Sequence, residues 1–168
     1  MDDVTLEDYR ALAAFRYELR KFLAFSEKAA RAAGIEPQQH QLLLAVKGYP
    51  SETAPTIGRI AERLAVEPHT AVGLVDKLEA RGLLRRERSS ADRRAVLLSL
   101  TPDGTRLLET LSVLHRVELA RVGPGVVAAL GEILSTHLER AGPARATTDE
   151  PERSGLRFDG RDQSATGR

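Results

Sequence analysis

The chain contains no cysteine, which excludes disulfides, thiolate metal sites and cysteine-based redox sensing. It also lacks an excess of either charge. The 25 Lys and Arg residues face 24 Asp and Glu, a net charge of +1, so any signal for a polyanionic partner has to be local. No segment approaches the roughly 20 consecutive apolar residues that span a bilayer, and the acidic start MDDVTLEDYRALAAF is neither a secretory signal nor a transit peptide. A cytoplasmic protein without membrane contact is expected. No nucleophile or acid–base arrangement stands out, so neither catalysis nor a cofactor is expected. His40, His69, His115 and His137 lack the spacing of a zinc-binding helix and read as surface or interface residues, with no metal.

What is present fits one domain of ordinary size with a real core: 168 residues, 42% of them apolar and 29% charged. From Leu6 to Ala33 apolar residues recur every three or four positions, through Leu12, Phe15, Leu19, Phe22 and Leu23, until Gly34. Tyr9, Tyr17 and Phe25 lie off that stripe, which implies more than one neighbour for this helix. Pro37 opens a second helix, PQQHQLLLAVK, closed by Gly48.

Two short amphipathic patterns follow, TIGRIAERLA and HTAVGLVDKLEAR, separated by Val66, Glu67 and Pro68. Ile57, Ile60, Ala61 and Leu64 in the first, and Ala71, Leu74, Val75 and Leu78 in the second, keep the same helical spacing, so the pair reads as a helix-turn-helix. Beyond Gly82, the series Leu84, Arg86, Arg88 and the series Val96, Leu98, Leu100 alternate with other residues, predicting two strands around the loop SSADRR, a small wing. Thr101 and Pro102 open another helix, which Gly123, Pro124 and Gly125 are expected to interrupt, and a last helix runs from Val126 to Ala141. Residues 143–168 carry too little apolar surface to offset their ordering entropy and read as a disordered tail.

The fold class predicted is therefore mainly α with a small β-hairpin, a winged helix-turn-helix (36–103) set on a helical region (1–35 and 104–142). Residues 56–101 hold nine Lys or Arg against six Asp or Glu, so the missing global charge reappears where a duplex would lie. With Ala71, Leu74, Val75 and Leu78 turned inward, the second helix of the motif presents His69, Thr70, Val72, Gly73, Asp76 and Lys77 outward. His69 and Thr70 are candidates for base or phosphate contacts, Val72 for a thymine methyl and Lys77 for a phosphate. Gly73 costs on the order of 1 kcal/mol against alanine in a helix, which close approach of DNA or of another protein helix would justify. Arg86, Arg88, Arg93 and Arg94 on the wing are candidate backbone or minor-groove contacts, Arg94 for insertion and Asp92 for holding an arginine in place.

The run from Thr56 to Gly104, and within it LVDKLEARGLLRR, the wing-tip Asp92, Arg93 and Arg94, and SLTPDG, resembles the winged helix-turn-helix of the MarR family of bacterial transcription regulators. The resemblance implies a homodimer joined through its first and last two helices, and a ligand crevice between that region and the winged domain. It implies a repressor that binds an imperfect palindrome in double-stranded DNA and answers to a small aromatic or phenolic ligand. A winged-helix protein-interaction module that does not read DNA is the alternative, and fold alone does not choose between them.

Overall fold

The computed structural model describes residues 4–50, 53–88 and 96–141, with backbone only for 136–141. Its elements run α1 (Leu6–Ala32), α2 (Pro37–Lys47), α3 (Ile57–Leu64), α4 (Pro68–Ala80), β1 (Leu84–Arg88), β2 (Val96–Leu100) and α5 (Pro102–Ala141). The wing-tip residues Asp92, Arg93 and Arg94 and the 143–168 segment lie outside the described residues.

Local chemistry sets most of the boundaries. Thr5 caps α1 in a reciprocal box, its hydroxyl accepting from the Asp8 N–H while the Asp8 carboxylate accepts from the Thr5 N–H at 2.8 Å. Pro37 and Pro68 occupy first helical turns, where the missing N–H is no loss. Between α3 and α4, Ala65 takes a left-handed conformation (φ 52°) that ends the first helix of the motif. A residue with a Cβ is strained there.

α2, α3, α4 and the hairpin close around Leu42, Leu43, Ile60, Val75, Leu78 and Leu84, all fully or almost fully buried. Each such side chain contributes roughly 1.5–3 kcal/mol of hydrophobic stabilisation. β1 and β2 pair antiparallel, with Leu84 opposite Leu100, Arg86 opposite Leu98 and Arg88 opposite Val96. The Leu98 N–H donates to the Pro55 carbonyl at 2.9 Å, which ties the hairpin to the residues entering α3.

The two most specific sequence pieces meet at the start of α5. The Thr101 hydroxyl donates to the Gly82 carbonyl at 2.6 Å and accepts from the Gly104 N–H at 3.0 Å. Gly104 lies so close to the Leu83 backbone that a Cβ there would come within 1.9 Å of the Leu83 oxygen. The glycine of SLTPDG is thus required by the turn that ends LVDKLEARGLL.

One sequence expectation fails in α5. Gly123, Pro124 and Gly125 do not interrupt it, and the two predicted helices are one helix of 40 residues with Pro124 inside, about 60 Å long. Proline removes one intrahelical hydrogen bond, but α5 meets α1 both before it, where Ser26 bonds His115, and after it, where Glu18 lies beside Gly125. Val122 and Ala129 are buried on either side of the proline. At Gly125 a Cβ would lie 3.1 Å from the Glu18 carboxyl group on α1, so the glycine serves close approach rather than termination.

Candidate nucleic-acid interface

α4 buries Ala71, Leu74, Val75 and Leu78, as its spacing requires, and turns the opposite face outward. His69, Val72, Asp76 and Lys77 are exposed, and Thr70 and Gly73 are half-buried. A Cβ at Gly73 would meet nothing within 4 Å. No described element of this chain therefore needs the glycine, and the space before it is open to a partner.

Arg86 takes a different position from the one the sequence suggested. The strand period puts it on the same face as Leu84, which is core, so its side chain turns toward α4. There its guanidinium pairs with Glu79 and, at 2.5 Å, with Asp76, while its backbone N–H donates to Glu79 at 3.2 Å. Burial opposes the charge on Arg86, but the hydrogen bonds and attraction of the two carboxylates outweigh it and raise its pKa above the ordinary arginine value. Its bonds hold the wing strand to α4, and the Asp76 carboxylate on the outer face is neutralised by the same pairing. The signal was available, since a residue two positions from a buried strand leucine shares its face.

On the outward face of β1, Arg85 donates to the Ser99 hydroxyl at 2.9 Å and pairs with Glu87 at 2.6 Å. Arg88 is exposed at the end of the strand, so of the wing candidates it is the one whose described position faces solvent. Arg81, following α4, donates to the Gly34 carbonyl at 2.7 Å and ties the end of α4 to the turn after α1.

A second feature lies between α1, α2 and α5: a cavity of about 350 Å³ walled by Phe22, Leu23, Leu44 and Leu119, at the lower end of the range usual for small-molecule sites. His40 and His115 line it and are both buried within the chain, where the sequence reads them as surface or interface residues. Their rings stack with centroids 4.7 Å apart, 10° from parallel. Burial first, and then the neighbouring His115, push the His40 pKa down to about 4. Sequence reasoning missed the pair because the two residues lie on separate helices, and only the packing of α2 on α5 brings them together.

The sequence pattern of the MarR family matches residues 33–95, the stretch that holds α2, the helix-turn-helix and the first strand of the wing. The uncharacterized HTH-type transcriptional regulator YkoM of Bacillus subtilis is 29% identical over 138 residues, covering 79% of this chain and 86% of that protein. Among solved structures, CouR of Rhodococcus jostii bound to p-coumaroyl-CoA is 26% identical with a TM-score of 0.57, covering 73% of this chain and 85% of that one. A MepR variant of S. aureus bound to an oligodeoxyribonucleotide is 22% identical with a TM-score of 0.56, covering 81% of this chain and all of that one, and shows a shared fold. Helix order, two-stranded wing and these likenesses agree on a winged helix-turn-helix fold, and residues 33–95 of the chain are similar to the MarR family of transcription regulators.

Proposed function

We propose that this protein is a homodimeric, sequence-specific repressor in the cytoplasm that binds an imperfect palindrome in double-stranded DNA, with an affinity changed by a small aromatic or phenolic ligand. The observation that carries the DNA reading is the outer face of α4, where small and polar side chains stand in solvent while the helix is anchored from behind by core leucines and at its end by Arg86. In this reading Thr70 and Val72 contact bases, and His69 and Lys77 contact phosphate or flanking bases. Gly73 permits close approach, and Arg88, Arg93 and Arg94 reach the flanking groove, with Asp92 orienting an arginine. Arg86 acts through position rather than contact. Two such faces related by a two-fold axis enter major grooves about one helical turn apart, which is why a palindromic site is expected.

Dimerisation is supported by apolar residues that the single chain leaves uncovered on α1 and α5, Leu12, Leu19, Leu23, Leu114, Leu130 and Leu134 among them. The cavity between α1, α2 and α5 supports the ligand, and the CouR complex supplies a relative with a bound aromatic thioester. Gel shifts with genomic fragments at two salt concentrations, alongside sedimentation of the free protein, test the proposal. Fragment-selective binding that weakens with salt, by a protein sedimenting as a dimer, is expected. A monomer at micromolar concentration, or binding indifferent to sequence, would overturn it.

A further inference from the structure

On the outer face of α4, Asp76 is the one acidic residue between His69 and Lys77. A carboxylate on a face meant for DNA needs a physical reason, because phosphates repel it. Its side chain is 59% exposed. One oxygen, Oδ1, lies 2.5 Å from Arg86 Nη2, and no hydrogen bond from another described residue reaches Oδ2. Arg86 is itself held by Glu79 from the far side of the pair. The Asp76 carboxylate is therefore fixed against α4 by one oxygen and keeps an unused acceptor on an exposed side chain.

Two further features decide what that acceptor can meet. Aspartate is short, so it reaches a base edge only where the helix backbone itself comes close to the duplex. Gly73, three residues earlier on the same face, allows this: it has no side chain to hold the duplex away, and the space before it is open. Pairing with Arg86 offsets the repulsion between the carboxylate and the phosphates, and an ionised carboxylate only accepts hydrogen bonds. In the major groove guanine presents O6 and N7 and thymine presents O4, all acceptors that repel it. Adenine sets its amino donor beside the acceptor N7, whereas cytosine presents its N4 amino group with no acceptor of its own.

We propose that Asp76 is a specificity-determining residue whose carboxylate accepts a hydrogen bond from the N4 amino group of a cytosine in each half-site, with Arg86 as the positioning residue that fixes the carboxylate. The inference rests on the proposed DNA-binding function and adds the identity of one base. Asp76 discriminates by rejection as well as attraction, since guanine or thymine at this position sets an acceptor against the carboxylate.

Selection of bound duplexes from a randomised pool by the full chain finds the preferred site, and competition gel shifts then compare that site with versions changed at one base pair. For the unaltered protein, changing the cytosine of one half-site to thymine exchanges the N4 amino group for the O4 acceptor and should weaken binding by roughly ten- to a hundredfold. Asp76→Ala should bind both duplexes equally. Asp76→Asn keeps an oxygen for Arg86 and should move the preference at this position toward adenine, whose N6 and N7 an amide meets together. Both variants leave Arg86 paired with Glu79 and should keep the helical circular dichroism of the unaltered protein; if Asp76→Ala does not, Asp76→Asn decides. A loss of affinity uniform over all base pairs would make Asp76 only a support for Arg86 and overturn the inference. So would an unchanged profile in Asp76→Asn, or a preference at the affected position for a base other than cytosine in the unaltered protein. Selective binding that does not depend on Asp76 overturns this inference only, whereas binding indifferent to sequence in the unaltered protein overturns the functional reading.

Discussion

Most leucines of the winged unit are closed inside it, whereas many on the long helices α1 and α5 stand exposed. Leu42, Leu43, Leu78 and Leu84 are closed inside the winged unit, each at most 1% exposed, whereas Leu12, Leu19, Leu23, Leu114, Leu119 and Leu130 on the long helices are 38% to 46% exposed. The apolar spacing is equally regular in both, so periodicity announces a face to be covered without saying what covers it. In the winged unit the cover is the same chain. On α1 and α5 each helix covers only part of the other, and in the proposed dimer a second copy covers the remaining face.

The comparison breaks most sharply at Gly104, where the winged unit is joined to α5. Gly104→Ala would force a methyl group into the Leu83 backbone, and a shift of that strand entry is expected to cost about 4 kcal/mol, a value typical of severe core disruption. Urea unfolding followed by helical circular dichroism checks it, and a change below about 1 kcal/mol would show that the turn relaxes freely.

A charge on the other region should spare the fold and remove the partner. Leu130→Glu lies on the uncovered face, so the dimer constant should weaken by more than about a hundredfold, about 3 kcal/mol, while the unfolding transition of the winged unit persists. Sedimentation at micromolar concentration reads the first and thermal unfolding the second.

Acid probes the boundary between the regions. The His40 pKa is lowered from its ordinary 6.5 to about 4 on folding, so the unfolded chain binds the proton first. Its contribution is complete above the unfolded value and is lost as pH falls from there to the folded value, about 3 kcal/mol in all. Unfolding measured near neutrality and near pH 4 should show the loss, and His40→Phe should reduce it by that amount.

The smallest effect separates stability from function within one helix. Because nothing fills the space before Gly73, Gly73→Ala should raise stability by up to about 1 kcal/mol through helix propensity alone. The same methyl group should weaken DNA binding, since it would stand on the face proposed to enter the groove. A parallel rise in both quantities would remove Gly73 from the interface.

Much of this arrangement was legible in the sequence. The bounds of α2 and the two strands follow from proline, glycine and periodicity, which act over a few residues and leave a local trace. The inward and outward sides of α4 follow from the helical repeat in the same way. Tertiary contact alone decided the rest. Pro124 stays inside a helix because α1 meets α5 both before it, at His115, and after it, at Gly125, against a local preference to break. Arg86 faces α4 rather than solvent because Leu84 on the same strand face is drawn into the core. His40 and His115 meet because α2 lies across α5, 75 residues later in the chain. A sequence records what each residue asks of its immediate neighbours through backbone geometry, whereas which distant groups end up sharing a dry interior is settled only when the helices pack and water leaves.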